Sequence, residues 1–205
     1  MSTLSYILAV LVVLLIILLL LSSVTSTSFA NKERLLPTNG FELPYAPLKW
    51  NLPPMVLGHN CYDYAFNNYD LIQKDTSQPG ELPNAIRDNL GSDYSCPLTN
   101  SRLVDDHNNA NTGMDIIVSS RDATCPANTY KIALVMDPND DYHFLRQNED
   151  GTWSHKPGKG FVTNKDFSDE IIADPEAADM KSDSYNYNLF CNYFCISTDA
   201  YDNFD

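Results

Sequence analysis

The stretch DYHFLRQNEDGTWSH, residues 141–155, decides the fold because it predicts a β-hairpin of defined register. Two runs with strand character flank a polar turn that ends on a glycine. Gly151 in the left-handed region favours a three-residue loop that begins at Glu149. With that loop, Asn148 pairs with Thr152, and the pairing of every residue in both strands follows.

Two histidines of this hairpin are predicted to share one face of the sheet. The three-residue loop pairs Leu145 with His155, and His143 lies two residues before Leu145, on the same face. A two-residue loop would turn His155 to the opposite face. The position of the glycine therefore predicts that the histidines are neighbours, as a base and the residue that orients it must be.

The rest of the chain predicts the α+β class. Runs of apolar and β-branched residues predict strands over 114–119, 130–136, 142–147, 152–156 and 186–197. Helical spacing predicts helices over 61–72 and near 101–109. Residues 31–54 carry five prolines, which predict an extended segment rather than a helix. The order of helices first and antiparallel strands later predicts an α+β domain over residues 55–205.

An apolar leader precedes this domain. Sixteen consecutive apolar residues run from Tyr6 to Leu21, and residues 1–30 carry no charge. As a helix this run spans roughly 24 Å, close to the ~30 Å hydrocarbon core of a bilayer. Two interpretations are open: a signal peptide cleaved after Ala30, or a signal-anchor that stays as a single-pass transmembrane helix. We therefore expect a secreted or membrane-anchored protein whose domain is extracytoplasmic.

Charge and motifs exclude several partners. The chain has 13 basic and 27 acidic residues, a formal net charge of -14. Binding to nucleic acid or to anionic lipid takes a basic face, so we expect no nucleic-acid partner and contact with a membrane only through the leader. The sequence has no glycine-rich phosphate loop, no CxxC pair and no HExxH, so we expect neither a cofactor nor a metal.

The five cysteines predict two disulfides and one free thiol in an oxidising compartment. They are Cys61, Cys96, Cys125, Cys191 and Cys195. Cys61 is expected to be the free thiol because its surroundings differ from those of the others. The other four cysteines can form two disulfides in three ways. The alternative is five reduced, buried thiols.

Cys61 has the local setting of a reactive thiol. Asn60 is a good N-cap, so Cys61 is predicted to lie in the first turn of a helix, where free N–H groups favour a thiolate. An adjacent imidazole activates such a thiol further, and the hairpin supplies two candidates.

This combination resembles the papain-like Cys–His hydrolases, above all the circularly permuted NlpC/P60-type thiol peptidases and amidases. In that group a cysteine opens a helix, a histidine lies on a later strand, and a third polar residue, often histidine, lies on the next strand. The 12-residue step between the histidines is similar, and the likeness covers roughly residues 50–200. The NlpC/P60 motif at the nucleophile is Asp-Cys-Ser-Gly, whereas this chain has Asn-Cys-Tyr-Asp from Asn60 onward.

The resemblance implies a thiol hydrolase that cleaves a peptide or amide bond through a thioester. Cys61 would be the nucleophile, His143 the general base and His155 the residue that orients it. The Cys61 backbone N–H would hold the oxyanion, with Asn60 or His59 as a second donor. A transferase of the same mechanism stays open. The alternative is a membrane-anchored structural or interaction protein that has the same papain-like fold without catalysis.

Overall fold

The computed structural model divides the chain into two compact units, Met1–Leu35 and Leu36–Asp205. It describes residues 11–18, 35–72, 76–80, 94–109, 116–138 and 140–198. In the first unit, residues 11–18 form a helix, α1, with exposed side chains. No helix within the described ranges combines the length and the apolar character that crossing a bilayer takes, so the predicted transmembrane helix is not among them. The rest of the predicted leader, residues 1–10 and 19–30, lies outside the described residues.

The second unit confirms the α+β class. Its described helices are α2 (Pro47–Trp50), α3 (Pro53–Gly58), α4 (Cys61–Ala65) and α5 (Cys96–Asn109). Its described strands are β1 (Ile117–Ser119), β2 (Thr129–Asp137), β3 (Asp141–Gln147), β4 (Trp153–His155) and β5 (Leu189–Ser197). The helices precede the strands in the chain, as the sequence predicts.

One antiparallel sheet contains the five strands in the order β1-β5-β2-β3-β4. The central strand β2 is covered on both faces. On one face, Ile132 belongs to a core that includes Phe66 beside α4 and Leu103 of α5. On the other face, Val135 belongs to a core that includes Trp153. Burial on both faces explains why β2 is a nearly continuous apolar run.

Two disulfides tie other parts of the domain to β5. Cys96 of α5 bonds to Cys191, and Cys125, in the loop before β2, bonds to Cys195. Cys61 is free and buried. The prediction that Cys61 is the unpaired cysteine is confirmed, and the alternative of five reduced thiols is wrong.

The helix that follows Asn60 is shorter than predicted. The spacing of apolar residues predicts a helix over 61–72, but α4 ends at Ala65. Asn67 has a φ of 56°, in the left-handed region, which a right-handed helix cannot continue through. A single residue conformation therefore ends the helix although the apolar spacing goes on.

The proline-rich segment is not wholly extended, which corrects the sequence prediction. Helix α2 begins at Pro47, within the segment, and α3 begins at Pro53. A proline is well tolerated in the first turn of a helix, because its missing N–H would have no partner there. Leu36 and Trp50 are buried, so this segment forms part of the core of the second unit.

Candidate functional site

The cap of α4 fixes the position of Cys61. The Asn60 side chain accepts a hydrogen bond from the Asp63 N–H at 3.0 Å, and the Asp63 carboxylate accepts one from the Asn60 N–H at 3.0 Å. This reciprocal arrangement is a capping box. The Asn60 amide group also donates to the Ser77 carbonyl at 2.8 Å. Cys61 follows the cap directly and therefore lies in the first turn of the helix, as predicted.

The hairpin of β3 and β4 has the predicted register. Asn148 N–H donates to the Thr152 carbonyl at 2.8 Å, and Gly151 has a φ of 84°. Leu145 pairs with His155. His143 and His155 consequently lie side by side, with 2.8 Å between His143 Nε2 and His155 Nδ1.

A hydrogen bond to one backbone carbonyl determines which ring nitrogens of this histidine pair carry a proton. His155 Nε2 lies 2.9 Å from the Lys165 carbonyl oxygen, which can only accept, so this nitrogen carries the proton. In the neutral ring Nδ1 then has no proton and accepts from His143 Nε2–H. The remaining nitrogen, His143 Nδ1, is left unprotonated and acts as a hydrogen-bond acceptor.

A pocket of about 330 Å³ opens between these elements. Asn60 and Cys61 line it from the start of α4, and Asp141 and His143 line it from β3. His155 is not among the residues that line this pocket, and it contacts His143 through the hydrogen bond between the two rings. The structure thus brings together the four residues that the sequence singles out, three of them at the pocket wall.

The pocket holds the thiol and the imidazole in their uncharged forms. Burial raises the pKa of Cys61 to about 12, against a stabilising hydrogen bond from the Phe144 backbone. Burial also lowers the pKa of His143 well below its usual value, and the neighbouring His155 lowers it further. An activated Cys–His nucleophile is a thiolate beside an imidazolium, so both shifts oppose that state.

Several residues that shape this site are not predicted by the sequence. The Tyr187 hydroxyl donates to the Asp141 carboxylate at 2.6 Å, and the Tyr187 ring stacks on His143 with 5.0 Å between ring centroids. Lys156 is fully buried, and its ammonium donates to the His59 carbonyl at 2.6 Å. No local sequence pattern predicts these contacts. Lys156 directly follows β4, whose three residues are all buried.

Comparisons with known proteins give one informative relative. No family model matches the chain, and no solved structure matches it. Insoluble matrix shell protein 1 from Ruditapes philippinarum is 35% identical over 138 residues. The aligned region is 66% of this chain and 80% of the relative.

The assignment to papain-like, NlpC/P60-type hydrolases is wrong. The relative is a shell matrix protein, and neither a family model nor a solved structure supports the papain-like fold. The functional terms hydrolase and thiol protease, which came from that assignment, are corrected with it. A capped helix start and a hairpin with two histidines each depend on a few neighbouring residues, so they arise in unrelated chains. The catalytic and oxyanion roles of Cys61, His143, His155 and Asn60 stay predictions.

Proposed function

The chain belongs to the family of insoluble matrix shell protein 1, and from that premise we propose that it is a structural component of an insoluble extracellular matrix. The observation that carries the proposal is the similarity to a matrix protein along most of that protein's length. Of the alternative predicted from the sequence, this proposal keeps the structural role without catalysis, but neither the papain-like fold nor the membrane anchor.

The two disulfides support secretion of the domain. Disulfides form and persist in oxidising compartments, and both bridges here tie distant segments to the same strand. Their sequence separations of 95 and 70 residues restrict much of the unfolded chain.

The state of Cys61 supports a structural role as well. Its thiol is buried, and its raised pKa keeps it protonated at neutral pH. A protonated thiol behaves as a small apolar group in a core. Cys61 then contributes to packing beside Tyr62 and Phe66, in the core on the helical face of the sheet.

We propose further that the leader directs secretion and is removed after Ala30. A matrix protein must leave the cell, and Ser28 and Ala30 are small residues at the places where signal peptidase cuts. The measurement is the N-terminal sequence of the protein isolated from its source. A terminus at Asn31 supports cleavage, and an intact N-terminus supports the signal-anchor.

The test of the matrix role is fractionation of the organism's tissue and extracellular matrix. Successive extractions with salt, detergent and dilute acid leave an insoluble residue, in which peptides of residues 36–198 are quantified by mass spectrometry. We expect the chain to be concentrated in that residue, with a soluble cytosolic enzyme as the control that is washed out. Recovery chiefly in the salt or detergent extract would contradict the proposal.

A further inference from the structure

Two groups that line the pocket with Cys61 are hydrogen-bond acceptors, His143 Nδ1 and the Asp141 carboxylate. His143 Nδ1 has no proton, because His143 Nε2 donates to His155. The Asp141 carboxylate also lines the pocket and can only accept when ionised. A ligand that binds to these two groups must therefore bring donors.

Among the residues that the structure describes, no cationic side chain forms an ion pair with Asp141. Its two carboxylate oxygens accept from the Tyr142 N–H at 2.8 Å and from the Tyr187 hydroxyl at 2.6 Å. The described ion pairs involve Arg121 and Lys165 and do not include it. Burial raises the pKa of Asp141, which means that the folded protein stabilises this carboxylate less well than water does. A cation beside it would supply the missing stabilisation.

Aromatic rings form the side of the pocket near Asp141. Tyr185 stacks on Tyr187 with 5.4 Å between centroids and 9° between planes, and Tyr187 stacks on His143. Tyr185 lines the pocket and is 43% exposed, so part of this residue is open to solvent. The face of an aromatic ring attracts a cation, and more so where water is partly excluded.

From these features we propose that the pocket binds a primary ammonium group, carried by a lysine side chain or by the free amino end of a peptide. The ammonium offers three donors to His143 Nδ1 and the Asp141 carboxylate. A volume of about 330 Å³ is at the lower end for ligand pockets and suits one side chain or chain end. The net charge of -14 attracts cations over a longer range. The proposal rests on the pocket alone and goes beyond the matrix role.

One lysine at the pocket opposes a cationic ligand, and this gives the proposal a distinctive consequence. Lys159 lines the pocket with an exposed side chain and makes no described ion pair with Asp141. Its charge repels an incoming ammonium. Replacing Lys159 with Met is therefore expected to tighten binding two- to fivefold, whereas an anionic ligand would bind more weakly.

The first experiment uses the unaltered full chain with both disulfides formed, titrated at pH 7 and low salt while NMR signals are followed. The probes are Nα-acetyl-lysine methylamide, with a side-chain ammonium, and alanine methylamide, with a terminal ammonium. Nα,Nε-diacetyl-lysine methylamide is the neutral control. We expect saturable binding of at least one charged probe, at least tenfold tighter than that of the control. The tighter of the two charged probes identifies the source of the ammonium.

Variants then locate the site. Asp141→Asn is expected to weaken binding of the charged probe at least tenfold. The matched control is Asp140→Asn, which removes the same charge from an exposed neighbour outside the pocket and should leave binding unchanged. Equal binding of charged and neutral probes, or no saturation with any probe, overturns the proposal. Because that comparison uses the unaltered chain, it stands even where Asp141→Asn impairs folding.

Discussion

At the scale of single residues, Cys61 illustrates how burial decides what a side chain can do. The thiol follows a well-formed cap in the first turn of α4, a place that favours a thiolate. Its pKa is nevertheless raised to about 12, because desolvation outweighs the hydrogen bonds from the backbone. The start of the helix favours a lower pKa for the thiol and burial raises it, and the effect of burial is larger.

We therefore expect slow alkylation of Cys61 by iodoacetamide in the folded chain. With a pKa of about 12, roughly one thiol in 100,000 is ionised at pH 7, against roughly one in 30 for a free thiol. Mass spectrometry across pH 5 to 9 gives the rate. The control is the same chain in denaturant with its disulfides intact, where Cys61 should react at the usual rate. Fast labelling near pH 6 that His143→Ala slows would reveal a thiolate–imidazolium pair and contradict the neutral site.

The histidine pair predicts a loss of stability in weak acid. Burial lowers the pKa values of His143 and His155 in the folded state, whereas in the unfolded chain they stay near 6.5. Below pH 6.5 the unfolded chain binds more protons, so the free energy of unfolding falls as the pH falls. We expect urea denaturation between pH 7 and pH 5 to follow this trend, with a smaller slope in His143→Gln.

The control for this series is Lys159→Gln, a substitution at an exposed residue outside the histidine pair. It should keep the slope of the unaltered chain. An unchanged slope in His143→Gln would mean that His143 binds protons equally well in the folded and the unfolded chain, which would contradict a lowered pKa in the folded state.

At the scale of elements, the local sequence predicts the β3–β4 hairpin, but it does not predict which contacts hold the loops around it. The glycine position predicts the register and the contact between His143 and His155. The buried ammonium group of Lys156 holds these loops through hydrogen bonds. Lys156 Nζ donates to the carbonyls of Val56, His59 and Gly158, at 3.0, 2.6 and 2.7 Å. These acceptors are backbone atoms that every residue has, so no residue pattern predicts which ones a lysine will find.

The cap of α4 gives a prediction at this scale. Asn60→Ala removes the oxygen that accepts from the Asp63 N–H and the amide that donates to Ser77. Losing an N-cap costs about 0.5–2 kcal/mol, and we expect a decrease near the upper end because a second hydrogen bond is lost. The matched variant Asn60→Ser keeps a capping oxygen and should recover about half of the decrease. Urea denaturation measures both, and equal stabilities of the two variants would contradict a role for the cap.

At the scale of the whole molecule, the two disulfides tie α5 and the loop before β2 to the same strand, β5. We expect the double variant Cys125→Ser and Cys195→Ser to lose about 2–5 kcal/mol of unfolding free energy. Domains of ordinary stability have about 5–15 kcal/mol in total, so reduction of both bridges should unfold a large fraction of the chain at 37 °C. Circular dichroism with and without reductant measures the melting temperature in each condition. A melting temperature that reductant leaves unchanged would show that the bridges contribute little.

The sequence by itself determined the features that depend on neighbours in the chain. The α+β class, the hairpin register, the cap at Asn60 and the unpaired state of Cys61 all follow from alternation, turn chemistry and cysteine count. These features are local because strand faces, turns and caps are set within a few residues.

Only the tertiary structure decided what the site can do. The pairing of four cysteines, the burial that keeps Cys61 neutral and the place of Tyr187 beside His143 each join residues far apart in the chain. The early end of α4 at Ala65 is also decided here, since an apolar pattern alone cannot reveal a left-handed residue at Asn67. Desolvation and long-range contact depend on the whole packed domain. A local resemblance to a thiol hydrolase therefore did not determine the function.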